Sequence, residues 1–291
     1  MSDVLNEIVK VSAIVFVLSS MLAMGLSMTI PQIVSPLKNI KLVIVALAIN
    51  FIAIPLLVWG IQAVMGLDQD IYTGLLLLAT AAGAPFLPKL AQTAKGDTAF
   101  SVGLMVMLMV VTIIYMPIVL PLFLSGVEIN PWDIAKSLIV AMLLPLGIGL
   151  FMKARWSELA GNLQPPMASA SSYSVLLMLV GGIVLAWDNV TSLFGTGAII
   201  AIVVFILLSL AIGYVAGGWG STPEIRSVMA LGTAQRNVSA AMVVGAMNFS
   251  DSPNVLIVIV AVALIGLVLL APIGAEMGKR SIATGAPGAD G

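Results

Sequence analysis

The sequence predicts an all-α polytopic membrane protein with nine transmembrane helices arranged as an inverted repeat, two of them broken. Three observations predict it. Of 291 residues, 60% are hydrophobic and only 9% are Asp, Glu, Lys or Arg, against roughly 25% charged in a soluble domain. Mean hydropathy is +1.16. A span takes about 20 apolar residues, so nine need about 180, close to the apolar share of the chain. The few loop charges alternate in sign of residue along the chain, and two segments five spans apart are interrupted by proline, glycine or polar residues. Continuous apolar runs such as Leu75–Leu78 and Val255–Ile265 disfavour a β-barrel, whose strands alternate.

Hydropathy places the spans at Ile8–Met28, Leu42–Met65, Ile71–Ala94, Thr98–Leu124, Trp132–Met152, Pro166–Trp187, Gly197–Trp219, Ser227–Phe249 and Asn254–Ala275. Asp3 and Glu7 stand where a cleavable signal would be basic, so the first span is expected to be retained. Residues 281–291 are small and polar and read as a disordered tail. Lys38 and Lys41 follow span one, Lys95 span three, Lys153 and Arg155 span five, Arg226 span seven, and Lys279 and Arg280 span nine. The other loops carry Asp68, Asp70, Glu128, Asp188 and Asp251. Lys136, just inside span five, is the local exception, and Lys10 sits near the start of span one. The positive-inside rule then puts the odd loops and the C-terminus in the cytoplasm and the N-terminus outside. A bacterial inner membrane is the expected location, with a plastid or other organelle membrane as the alternative.

Spans three and eight differ from the others. Span three runs into Ala79–Thr80–Ala81–Ala82–Gly83–Ala84–Pro85–Phe86–Leu87–Pro88–Lys89, where two prolines and a glycine interrupt the helix. Span eight carries Thr233, Gln235, Arg236, Asn237 and Ser239 at mid-depth. An arginine there costs about 2.5–3.5 kcal/mol on insertion scales, and such residues face a bundle interior or a water-filled cavity. No acid lies deep within any span to pair with it. A carbonyl clamp locking two helices is the alternative to a functional role. Because five is odd, span eight runs opposite to span three, so spans one to four pair with six to nine as inverted repeats, and span five connects them. Asp97 before Pro117, and Asp251 before Pro272, echo that pairing. Paired broken helices in inverted repeats point to a secondary transporter's binding site; half-helix N-termini suit an anion and unwound carbonyls a cation.

Other functions fall on composition. With no Cys and no His, disulfides, His/Cys zinc sites and His-based triads are excluded, and no cofactor is expected. A net charge of −1 without a basic run disfavours nucleic acid. An intramembrane aspartyl protease lacks its second mid-span Asp, so an enzyme is not expected. A channel would need a continuous polar pathway. A metalloid exporter lacks its thiol ligand, and a structural membrane subunit remains an alternative.

Three stretches resemble the bile acid:sodium symporter superfamily: Met24–Gly25–Leu26–Ser27–Met28, Gly96–Asp97–Thr98–Ala99–Phe100–Ser101–Val102, and Gly232–Thr233–Ala234–Gln235–Arg236–Asn237. The resemblance implies a core of crossing broken helices (spans two to four and seven to nine) and a panel (spans one, five and six). It implies alternating access between them, with a small organic anion, a carboxylate, in the crevice. The substrate-binding residues expected are Arg236, Asn237, Thr233, Gln235, Pro85 and Pro88. Sodium is the coupling ion the resemblance implies, through Asn50, Ser101, Gln235 and Asn237.

The chain departs from that pattern at the sodium sites. Pro85–Phe86–Leu87–Pro88 stands where the family often has Ser-Asn, Leu231–Gly232–Thr233 lacks the family's Glu, and Arg236 stands in place of a neutral Gln. A fixed guanidinium repels a hard cation in the same site. Two readings follow. In one, sodium symport persists, with Arg236 turned away from the ion. In the other, transport is sodium-independent and Arg236 replaces the cation or clamps the substrate carboxylate.

Overall fold

The computed structural model describes residues 2–34, 38–124, 130–185, 195–219, 221–249 and 252–283, and among these every regular element is helical. α1 spans Ser2–Ser27 and α2 is the short Ile30–Val34. α3 runs Ile40–Met65, started by Asn39, whose side chain accepts from the Leu42 N–H, and stopped by Gly66 in the left-handed conformation (φ +58°). The first interrupted segment is two helices, α4 (Gln69–Thr80) and α5 (Leu87–Thr93). Asp97 caps α6 (Thr98–Phe123) by accepting from the Phe100 N–H at 2.8 Å. Asn130 caps α7 (Pro131–Arg155), with Pro131 in the first turn, where no helical bond is lost. α8 is Ser157–Leu185 and α9 Ala198–Gly217. The second interrupted segment is again two helices, α10 (Pro223–Ala234) and α11 (Val238–Asn248), and α12 spans Pro253–Ala283.

Among the described residues, five helices are long and apolar enough to cross a bilayer: α3, α6, α7, α9 and residues 254–280 of α12. They are the expected second, fourth, fifth, seventh and ninth spans. The two boundaries that differ most from expectation are at the sixth and ninth segments. The sixth segment begins at Ser157, nine positions before Pro166, because the helix continues through Pro165 and Pro166 along an exposed, more polar stretch that hydropathy alone passes over. α12 continues through Ala283, into the segment expected as tail; 284–291 lie outside the described residues, as do Glu128, Asp188 and Asp251.

α1 packs against α7 and α8. The α1–α7 crossing is set by two glycines: a Cβ on Gly25 would fall 2.9 Å from the Gly149 Cα, and one on Gly149 would fall 2.8 Å from the Gly25 Cα. Small residues let two membrane helices touch through their backbones. α9 packs on α10 in the same manner, with Gly213 against the Met229 carbonyl and Thr233. α4 is the innermost element. Leu75 to Leu78 are all fully buried, enclosed by α3, α6, α11 and α12. A helix apolar on every side is surrounded by protein or lipid, and here it is protein.

Candidate functional site

The two interruptions meet at the centre of the molecule. After Thr80 the chain turns extended at Ala81 (φ −97°, ψ 92°). Gly83 follows at φ +81°, where a Cβ would lie 2.3 Å from the Met109 backbone nitrogen. Only glycine has both that conformation and that closeness to α6. A turn from Ala84 to Leu87, closed by the Leu87 N–H on the Ala84 carbonyl at 3.0 Å, then starts α5. Pro88 is in the first turn of α5 and starts that helix rather than interrupting one; the break lies at 81–86. The second break is shorter: Gln235 (ψ 104°) and Asn237 (ψ 83°) leave the helical region on either side of Arg236.

Each break supplies bonds the other has lost. The Asn237 N–H donates to the Ala81 carbonyl at 2.9 Å. The Asn237 side chain caps α11 through Oδ1, which accepts from the Ala240 N–H at 3.0 Å, and donates through Nδ2 to the Gly83 carbonyl at 3.0 Å. Thr112, from α6, serves Ala82 twice: its hydroxyl accepts from the Ala82 N–H (2.9 Å) and donates to the Ala82 carbonyl (3.0 Å).

Arg236 is 2% exposed. Its Nε donates to the Leu78 carbonyl at 3.0 Å. Its Nη1 donates to the Asn50 Oδ1 (2.6 Å) and the Thr233 carbonyl (3.2 Å), and its Nη2 to the Ala79 carbonyl (2.6 Å) and, at 3.5 Å, the Asn50 carbonyl. A guanidinium has five N–H donors, and here all five point at protein oxygens. None of those oxygens belongs to a carboxylate. Leu78, Ala79 and Thr233 lie in the last turns of α4 and α10, whose C-termini each carry about half a negative charge. The helix ends balance the guanidinium in place of an acid.

Asn50 reaches this site because α3 is not a plain α-helix there. Residues Ile49–Ala53 form a π-turn, and the Ile54 N–H bonds the Ile49 carbonyl instead of the Asn50 one. Pro55 follows with no N–H. The Asn50 and Phe51 carbonyls thus lose their helical donors. The first accepts from Arg236; the second accepts from the Tyr115 hydroxyl, whose ring also packs on Phe51.

The expected site residues therefore fall into groups. Arg236, Asn237, Asn50 and the Thr233 backbone are joined at the crossing. Gln235, Pro85 and Pro88 are half-buried beside the breaks. Ser101 is buried in the first turn of α6, where its hydroxyl donates to the Thr98 carbonyl at 2.7 Å. Of the oxygens expected to hold sodium, the Asn50 Oδ1 accepts from Arg236 and the Asn237 Oδ1 from the Ala240 N–H. Thr112, Tyr115 and Pro55 escape a sequence reading, although an isolated hydroxyl or a proline within an apolar span is a visible mark. Two hydroxyls flanking Arg236, Thr233 Oγ1 and Ser239 Oγ, are buried without a hydrogen-bond partner. A separate open pocket of about 540 Å³, lined by Leu56, Trp59, Gln62, Gln69, Tyr72, Leu122 and Phe123, contains none of the expected residues.

The profile of the Sodium Bile acid symporter family matches residues 14–216, which takes in the first break and ends before the second. The chain is 24% identical over 195 residues to the probable sodium/metabolite cotransporter BASS3, chloroplastic, of Arabidopsis thaliana, covering 67% of this chain and 45% of that protein. It is 22% identical over 195 residues to the protein of the same name from Oryza sativa subsp. japonica, covering 67% and 46%. The chain thus matches less than half the length of these relatives. The match bears out the resemblance carried by the short motifs: this multi-pass membrane protein belongs to the sodium bile acid symporter family, a family of transporters and not of enzymes.

Proposed function

We propose that the protein is a secondary transporter of a small organic anion, with a carboxylate as the substrate class, working by alternating access. The observation that carries this is the bonded crossing of two broken helices, with a buried cation and no acid beside it. Arg236 offsets the C-terminal ends of α4 and α10, so the N-terminus of α11 retains its partial positive charge. That electrostatic balance suits an anion beside the crossing, near Gln235, Pro85, Pro88, Thr233 and Asn237. In this reading α4–α5 and α10–α11 each count as one crossing of the bilayer. With α1, α3, α6, α7, α8, α9 and α12 they make nine spans in an inverted repeat. α1, α7 and α8 form the panel and the remaining elements the core. The N-terminus is outside, the C-terminus is cytoplasmic, and a bacterial inner membrane is the location.

Sodium symport is the coupling supported by the family and by the relatives' names. A second reading, sodium-independent transport, is favoured by the complete ligation of Arg236 by protein oxygens. Uptake of a panel of radiolabelled carboxylates and sulfonates into proteoliposomes, with sodium or with choline, tests both. Saturable accumulation of one anion supports the transporter, and its persistence in choline selects the second reading. No flux of any anion, or an ohmic current, overturns the proposal.

A further inference from the structure

We propose that Arg236 is a tethered cation: the fold builds a site for a free monovalent cation at the crossing, and the chain fills that site with its own guanidinium. The inference deepens the sodium-independent reading and rests on it for its bearing on transport. Its structural basis is the donor set. Five oxygens converge on one positive group: the carbonyls of Leu78, Ala79, Thr233 and Asn50, and the Asn50 Oδ1. All are hard, neutral oxygens, the chemistry that hard cations take. They come from three elements, each at a local break: the end of α4, where the Leu78 carbonyl also accepts from the Ala81 N–H at 3.1 Å, the end of α10, and the π-turn before Pro55. Without a carboxylate among them, the set matches one positive charge rather than two, and the two helix C-termini supply that balance.

The arrangement has two consequences. While Arg236 is in place, its charge is fixed and no free cation can enter beside it, so no ion gradient is coupled through this site. Once Arg236 is shortened, the same oxygens face each other across an unfilled space with no positive charge, and a small free cation becomes their best partner.

The test is a melting series on the purified full chain in detergent. Wild type, Arg236→Lys and Arg236→Ala are each unfolded in sodium, potassium and choline chloride at one ionic strength. Wild type and Arg236→Lys are expected to melt at the same temperature in all three salts. Arg236→Ala is expected to melt lower in choline and to recover saturably with sodium. The rise is about 5 °C at a hundredfold excess over the dissociation constant, for a chain of this size. Arg236→Ala melting equally low in every salt overturns the proposal, and so does a sodium-specific rise in wild type. If Arg236→Ala yields no folded protein, the wild-type series decides by itself: indifference to the cation upholds the tethered charge and sodium-specific stabilisation refutes it. The series reads the cation site independently of transport. Absence of anion uptake by wild type would overturn the proposed function and leave this result standing.

Discussion

Replacing Tyr115 with Phe removes one oxygen and keeps the ring that packs on Phe51 at 4.8 Å between centroids. The hydroxyl donates to the Phe51 carbonyl, which is buried and has no N–H one turn ahead because that position is Pro55. In a bilayer interior no water replaces the lost donor. An unsatisfied buried acceptor costs about 1–3 kcal/mol, while interhelical polar bonds within membranes average nearer 0.6 with a maximum of about 1.7. The Phe51 carbonyl lacks the usual alternative partner, so the upper end applies, about 1–2 kcal/mol. For a chain of this size that is a fall of about 2–4 °C in melting temperature. The cause can be separated from general loss of packing. Pro55→Ala supplies the missing N–H one turn ahead of Phe51. Tyr115→Phe combined with Pro55→Ala is therefore expected to regain most of the loss, with a coupling of about 1 kcal/mol in the double-mutant cycle. Thermal unfolding in detergent measures all four proteins. Tyr115→Phe as stable as wild type, or a double variant no better than the single, would refute the assignment of this carbonyl to Pro55.

Thr112→Val keeps the shape of the side chain and leaves both the N–H and the carbonyl of Ala82 without the hydroxyl that serves them; the expected loss is about 2–4 kcal/mol, and Thr112→Ser should retain most of the stability in the same melt. Gly83→Ala meets a left-handed φ and the Met109 backbone together. About 1–2 kcal/mol for the conformation adds to about 1–3 for the overlap, so a sharp fall in folded yield by size-exclusion chromatography is expected. Asn237→Ala removes the cap of α11 and the bond to the Gly83 carbonyl; about 2 kcal/mol of stability should be lost, and anion uptake with it. Asn237→Asp should restore the cap and not the donor, and so recover stability better than uptake.

Both breaks and the mid-span arginine were legible in the sequence because each violates the pattern around it. Pro85, Gly83 and Arg236 stand out in runs that are otherwise apolar. The missing acid was legible too, and it correctly implied that Arg236 is not held by an ion pair. What satisfies it was not legible. Asn50 lies 186 positions from Arg236 and Leu78 lies 158, and no local periodicity encodes which distant carbonyl a guanidinium will meet. Pro88 illustrates a different limit: composition marks it as a breaker, but at the first turn of α5 it costs no bond. Leu75–Leu78 reads like any lipid-facing run, since hydropathy cannot distinguish a lipid neighbour from a leucine one. Ser101 shows how far a motif carries. It lies in the first turn of α6, within a motif that carries the resemblance, and its hydroxyl donates to the Thr98 carbonyl of its own helix.

The bonding at the crossing also bears on how such a protein could move. Several groups freed by the breaks find partners within the crossing: the Ala81 carbonyl with Asn237, Ala82 with Thr112, the Gly83 carbonyl with the Asn237 side chain, and the carbonyls of Leu78, Ala79, Thr233 and Asn50 with Arg236. Separating α4 from α11 would expose several of these groups at once to a medium with no water, at a cost of several kcal/mol for each unsatisfied one. Motion within the crossing is therefore the expensive route. α1 meets α11 differently. The two elements pack together, and each carries a buried hydroxyl without a partner, Ser20 Oγ on α1 and Ser239 Oγ on α11. Parting that boundary breaks no hydrogen bond to either hydroxyl and gives both a chance to gain one from water or from a polar ligand. A rigid crossing beside a boundary that loses little on opening is the arrangement that the proposed alternating access would need at the faces of α1 and α11.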